Sequence, residues 1–296
     1  MTTVLETPLT DDELTQIARD AIWGSWGRRK NKRARLDRFR DYRDGNGGIP
    51  DVADGSSDEI KALAKQSVMN VCGPAVDTFD RSLSVVGFRS PSATDDEAAW
   101  DWWQRHGLDA GQHKTHRASL TYGYSFVSVL PDDEDEPTPA LWSPQDVVAE
   151  WVDPERDLFP TSAMLIRSVA GGWSVLLVDE QWVTPGFLPK APKSDRGDGT
   201  VDTVNRLDVQ VTGEPWEHGA TYGDKPVCPV VRFVNELPES TDDPRGEVEP
   251  LIDRQRAINS VNFDRLAVSR FGAFQQAVGP DHHRVQALVG HDFQRR

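Results

Sequence analysis

At Gly123 the hydrophobic pattern of this 296-residue chain changes period, and that change limits its fold more than any other feature. Upstream, apolar residues recur three and four apart, the spacing of one helix face. Downstream, short runs of β-branched and aromatic residues alternate with Pro-, Gly- and Asp-rich turns, as strands do. The expectation is an α+β protein: a helical N-terminal third, a mainly antiparallel sheet, and then one long helix.

Within the first third, Asp11, Asp12 and Glu13 open a short helix carrying Leu14, Ile17, Ala21 and Ile22, with Gly24 as its stop. A second helix, with Leu36, Phe39 and Tyr42 at three-residue spacing, ends at Gly45, Asn46, Gly47, Gly48 and Pro50. Ser56 and Glu59 form a capping box ahead of Ile60, Leu63, Ala64, Val68 and Val71, and Pro74 bends or restarts that helix. Thr94 and Glu97 form another box before Ala98, Trp100, Trp102 and Trp103, closed by Gly107; Leu108 to Tyr122 follows as a helix turning at Gly123.

Strands are expected at Tyr124 to Leu130, Val147 to Val152, Ala163 to Val169, Trp173 to Val178, Gln181 to Thr184, Leu207 to Thr212 and Val230 to Val234. Pro185 to Thr203 reads as a long surface loop, and Gly246 to about Gln276 as one helix of roughly 45 Å. Apolar residues in that helix do not keep to one narrow stripe, which suits packing on more than one side. From Ala277 the composition shifts again, with His282, His283 and His291 in a tail that contains no Lys.

Hydrophobic residues make up 37% and charged residues 27%, enough apolar material to bury a core. The net charge of −15 argues against a protein that coats nucleic acid with its whole surface. No apolar run reaches the ~20 residues of a membrane span, and the first residues lack the pattern of a signal peptide, so a soluble, unexported chain is expected. Cys72 and Cys228, in apolar surroundings without CxxC spacing, fit buried thiols in a reducing compartment.

Against the acidic background, Arg28 to Arg43 carries nine basic residues and only Asp37 and Asp41. Such a stretch either contacts phosphate or pairs with acids of its own or a neighbouring chain. No phosphate loop, nucleophile elbow, dinucleotide fingerprint or zinc pattern occurs. His113 and His116 have a spacing that can ligate metal, but no carboxylate or cysteine completes the set locally, so a structural role is expected. The acidic run Asp132 to Glu136 lacks the alternation of a calcium loop and reads as a solvated turn. Trp100, Trp102 and Trp103 read as core or interface anchors.

Five segments in order resemble the portal proteins of tailed bacteriophages, specifically the SPP1-type family of actinobacteriophages. They are Asn70 to Arg89 (NVCGPAVDTFDRSLSVVGFR), Trp100 to Pro131 (WDWWQRHGLDAGQHKTHRASLTYGYSFVSVLP), Ser143 to Pro154 (SPQDVVAEWVDP), Pro229 to Glu236 (PVVRFVNE) and Arg245 to Leu266 (RGEVEPLIDRQRAINSVNFDRL). The resemblance implies a helical arm over 1–55, a wing-like α+β domain over 56–245, a stem-like helix over 246–276 and an atypical tail over 277–296. Family members continue into a clip, a second stem helix and a crown, so this chain reads as the N-terminal half of such a protein followed by unrelated residues.

The function so implied is that of a structural, non-enzymatic subunit of a ring at the capsid vertex, through which double-stranded DNA is packaged and ejected. Its implied partners are further copies of itself, typically twelve in the family, with terminase, scaffold or capsid protein, head-completion proteins and the DNA in the channel, but no membrane. It would be assembled in the host cytoplasm and located in the virion. No catalytic residue, cofactor or metal is expected. The candidates for DNA or interface contact are Arg28, Arg29, Lys30, Lys32, Arg33, Arg35, Arg38 and Arg40, with Glu247, Glu249, Asp253, Arg254 and Arg256 at the start of the long helix. Two other readings are a DNA-binding adaptor or head-assembly protein using residues 28–43, and an enzyme whose site draws on Asp77, Asp80 and His116.

Overall fold

The structure, a computed structural model, describes residues 11–89, 96–132, 134–190, 209–238 and 243–272. It is an α+β protein, and the chain divides into two compact units: Met1–Gly47 with Asn70–Asp253, and Gly48–Met69 with Arg254–Arg296.

In the first unit, helix α1 (Asp11–Arg43) runs unbroken for 33 residues, about 50 Å, through the glycine expected to stop it. A mid-helix glycine costs about 1 kcal/mol against alanine, whereas burying Ile22 and Trp26 on either side of Gly24 contributes about 1.5–3 kcal/mol each, so packing overrides the local signal. These two side chains sit in a core cluster with Val148, Met164, Ile166, Trp173, Val175, Leu188 and Val209. About three turns further along, Leu36, Phe39 and Tyr42 bury in a second cluster with Cys72, Val76, Leu120, Tyr122, Val248 and Ile252, and the helix ends two residues before Gly45, as the glycine cluster led us to expect.

The surface under α1 is an antiparallel sheet made of β3 (Val147–Glu150), β4 (Ser162–Val169), β5 (Gly172–Val178), β6 (Trp182–Pro189) and β7 (Gln210–Val211) in that order, with β8 (Trp216–Glu217) on β6. Strand β4 buries Ala163, Met164, Leu165 and Ile166 in succession because both its faces are covered. Met164 and Ile166 face the α1 cluster; Ala163 and Leu165 join Phe126, Trp142, Val178, Cys228 and Val230 in a third cluster. That cluster is closed by a second antiparallel sheet, ordered β11 (Val230–Val234), β1 (Tyr124–Pro131) and β2 (Pro137–Trp142). A small hairpin, β9 (Thr221–Tyr222) with β10 (Lys225–Pro226), stands beside these sheets in sequence. The far side of the three-stranded sheet is covered by helices α4 (Glu97–Arg105) and α5 (Leu108–Tyr122), which enclose an apolar cavity of about 200 Å3 together with Val127, Val129, Val231 and Phe233.

Several boundaries move from their expected places. Strand β6 continues four residues beyond Pro185, because a proline costs a sheet only one N–H and Phe187 and Leu188 still pair with Ser174 and Trp173. The rest of the expected loop, to Thr203, and residues 207 and 208 lie outside the described residues. Strand β2 was not foreseen, since Pro137 and Pro139 masked it; both sit where the pairing with β1 tolerates them. Asp96 caps α4, accepting a hydrogen bond from the Ala99 N–H at 3.0 Å, in place of Thr94, which is not among the described residues. Helix α3 (Cys72–Ser82) begins as a new helix with Pro74 in its first turn, where the missing N–H is harmless.

Gly123 takes a left-handed conformation, φ 95°, and a side chain there would lie 2.4 Å from the Pro244 carbonyl oxygen. Opposite it, a Cβ on Gly246 would lie 2.7 Å from the Gly123 nitrogen and the Leu120 and Thr121 carbonyl oxygens. The chain therefore crosses itself in backbone contact at the end of α5.

In the second unit, helix α2 (Asp58–Gln66) is capped by Ser57, not Ser56, through the Ile60 N–H at 3.4 Å. The long C-terminal helix is shorter than expected at its start: Glu249–Leu251 form a 3-10 turn, α6 runs Ile252–Ala267, and Val268–Gly272 widen into a π turn. Pro250 and the close passage at Gly246 explain why it does not start earlier. The expected end at Gln276 and the tail from Ala277 fall outside the described residues.

Candidate assembly and contact surfaces

The basic stretch lies entirely on α1, and most of its charge is answered within the first unit. Arg28 pairs with Glu150 and donates to Ser25 Oγ at 3.0 Å. Arg29 is buried, donates from Nε to the Gln145 carbonyl oxygen at 2.8 Å and stacks its guanidinium 4.9 Å over Trp26. Asp37 accepts from Arg33 at 3.4 Å and lies 3.0 Å from Arg40, while Arg43 pairs with Asp44 at 3.0 Å. Arg35 reaches Asp243 at 3.1 Å and Glu249 at 3.2 Å. Among the described residues, Lys30, Lys32 and Arg38 face solvent with no acid in ion-pair range, and Arg38 lies 6.0 Å over the Tyr42 ring. Spacing alone could not have shown this division, because the nearby Asp37 and Asp44 answer only part of the charge and Glu150, Asp243 and Glu249 answer the rest.

The acidic candidates at the start of the long helix separate in the same way. Glu247 accepts from Asn235 Nδ2 at 3.1 Å and Glu249 from Arg35, so both hold the chain segment leading out of the three-stranded sheet. Asp253, Arg254 and Arg256 are exposed.

Helix α6 has an inverted distribution of polarity. Beyond Ile252, its buried residues are amides: Gln255 and Asn259 are buried, Asn259 donates to the Gly48 carbonyl oxygen at 2.8 Å and accepts from the Met69 N–H at 3.0 Å, and the half-buried Asn262 donates to the Ser67 carbonyl oxygen at 2.6 Å. Gln255 donates to Asn259 at 2.8 Å and to the Met69 carbonyl oxygen. These bonds satisfy the turn-rich backbone of residues 48–69, which has few carbonyl partners of its own. On the other side Val261 and Val268 face water at 69% and 70% exposure, followed by Phe271 on the π turn, and Ile258 is exposed on the flank beside the amides.

Of the residues of the enzyme reading, Asp80 and His116 come within 4.0 Å of each other while Asp77 stands apart. Asp77 lies 3.9 Å from Arg43 on the outer side of α3. Asp80 is buried between α3 and α5, where it meets His113 at 3.1 Å and Arg117 at 3.7 Å; burial pushes the neighbouring His116 below its ordinary value, towards the neutral imidazole. The acidic turn is a local structure: Asp132 Oδ1 accepts from the Glu134 and Glu136 N–H groups, which holds its carboxyl below the usual carboxylate range. Trp102 and Trp103 line the apolar cavity over the three-stranded sheet, Trp102 donating to the Pro137 carbonyl oxygen at 3.0 Å, and Phe88 packs against Trp100 and Trp103. Both cysteines are free and fully buried; burial raises both thiols, that of Cys228 to about 12. No described helix is long and apolar enough to cross a membrane.

Residues 25–169 match the family model described as phage portal protein, SPP1 Gp6-like. Just under half of the chain is covered, including α1 from Ser25 onward and the first three of the five resembling segments; the segments at 229–236 and 245–266 lie beyond it. No curated protein matches the chain significantly. That family is structural and non-catalytic, self-associating, and located in the virion capsid.

Proposed function

We propose, from the match of residues 25–169 to the SPP1 Gp6-like portal family model, that the chain is a subunit of the ring at the capsid vertex through which double-stranded DNA is packaged and ejected. The layered α/β unit would be the wing and α6 the stem helix, placed beside the stem of a neighbouring copy. The observation that carries this reading is the exposed apolar pair Val261 and Val268, on the side of α6 away from its buried amides, with Ile258 exposed on the flank. Lateral contact in a ring would cover it, and each side chain so covered would contribute about 1.5–3 kcal/mol per subunit.

A net charge of −15 suits a conduit, because like charge keeps a phosphate backbone from adhering to the wall. The work of packaging belongs to a separate motor in this reading, with scaffold, capsid and head-completion proteins as further partners. The test is the native mass of the full chain by mass spectrometry with particle images. A closed ring, twelve-fold by the family's habit, is expected; a monodisperse 33.0 kDa species at every concentration overturns the assignment.

A second reading rests on Lys30, Lys32 and Arg38, the cations of residues 28–43 without acid partners among the described residues. As a DNA-binding adaptor, the chain would bind duplex with a salt slope that falls by about 0.9 for each of these three changed to Ala. A slope unaffected by the triple variant removes this reading.

A further inference from the structure

The sequence places His113 and His116 three apart on α5 with no third donor nearby; the fold supplies one from α3. Asp80, buried at 5% exposure, directs Oδ1 between the two imidazoles, 3.1 Å from His113 Nδ1 and 4.0 Å from His116 Nδ1. The three donor atoms all lie within 4.8 Å of one another. Ligand atoms bound at about 2.0–2.1 Å in a tetrahedral zinc site stand about 3.4 Å apart, a value that the two measured separations bracket. We propose that Asp80, His113 and His116 form a binding site for a borderline divalent transition metal, Zn2+ by preference, which ties α3 to α5.

Two further observations fit this assignment. His116 Nδ1 is fully buried and makes no hydrogen bond, although a buried ring nitrogen left without a partner is costly. Arg117 lies 3.7 Å from the other carboxylate oxygen, Oδ2, so it steadies the carboxylate as an outer-shell partner and leaves Oδ1 for the metal.

Two nitrogens and one oxygen select against Mg2+ and Ca2+, which prefer oxygen throughout. Beside the triad, a polar cavity of about 340 Å3 lined by Asp77, Asp80, Arg81, Ala110, His113 and Arg117 gives water access as the fourth ligand. With only three protein donors and a guanidinium nearby, the affinity falls in the micromolar range, below that of a closed four-ligand site. The metal's role is then to lock two helices, with no chemistry assigned to it. This assignment is independent of the portal reading.

The test uses the full chain, stripped with chelator, and titration with Zn2+ and Co2+. His282, His283 and His291 are competing donors in the tail, so the background protein carries all three as Ala. One equivalent of metal should bind, with the visible absorption of tetrahedral Co2+, and saturating Zn2+ should raise Tm by about 5 °C. His113→Gln, at a half-exposed position, and Asp80→Asn, which keeps the shape of the carboxyl, should each weaken binding at least tenfold; their circular dichroism shows whether they fold. Failure of the background protein to take up a stoichiometric metal, or uptake that survives His113→Gln and Asp80→Asn alike, overturns the proposal and leaves a plain aspartate–histidine hydrogen bond.

Discussion

Helices α1, of 33 residues, and α6, of 16, solve opposite problems with charged sequence. Helix α1 turns Ile22, Trp26, Leu36, Phe39 and Tyr42 inward and answers most of its cations with acids from elsewhere in its own unit. Helix α6 turns Gln255, Asn259 and Asn262 inward and leaves valines and an isoleucine in water. The difference teaches where each helix finds its stability: α1 from apolar burial within one chain, α6 from a limited set of directional bonds, with its apolar side left for a neighbour. A charged surface that is internally paired is a scaffold, whereas an apolar surface that is internally unpaired is an invitation.

The contrast can be broken most sharply on α1. Ile22→Ala should cost about 3 kcal/mol, because it opens a cavity against Val175 and Gly186, where Ile22 Cδ1 sits in near contact with the backbone. All ten tryptophans belong to the first unit, so their fluorescence in a urea titration reads this loss directly. On α6, Asn259→Leu should cost about 2 kcal/mol by orphaning the Met69 N–H and the Gly48 carbonyl. Here the readout differs: hydrogen exchange over 48–69 and 254–270 should accelerate while the tryptophan transition stays in place.

Alkali should sharpen the comparison from the other side. Cys228 and Tyr124, both in the first unit, are pushed up to about 12 by burial, from ordinary values of 9.0 and 10.0. The folded chain therefore holds protons that the unfolded chain has released, so the first unit loses stability as pH rises from about 9 towards 12. A urea midpoint by fluorescence that stays constant between pH 8 and 11 contradicts this. The smallest effect on stability belongs to Val261→Glu with Val268→Glu, which should change the folding free energy by no more than about 0.5 kcal/mol per site. Their effect should appear only in native mass, where the oligomer gives way to the single chain.

Much of the layered unit was legible because its signals were local and redundant. Helix α5 and strands β1, β4, β5 and β11 follow from periodicity and from Gly123, and the burial of Cys72 and Cys228 from their neighbours. What periodicity could not give were outcomes decided by distant residues. Gly24 looked like a stop until Ile22 and Trp26 had a sheet to pack on; Pro137 and Pro139 hid a strand that β1 pairs regardless. The basic stretch kept two readings open because its partners lie more than a hundred positions away. His113 and His116 lacked a third donor until α3 packed on α5 and brought Asp80 between them.

Gly123 and Gly246 face each other with no room for a single methyl group. In a saturation library of this gene both columns should therefore be nearly blank, and a double substitution should fare no better than either one alone, since each new Cβ strikes main chain that no second substitution can trim. Drift elsewhere in the sheets can be compensated by a neighbour of different size. This crossing admits no such repair, so through any amount of sequence divergence the two positions have to be inherited as a pair.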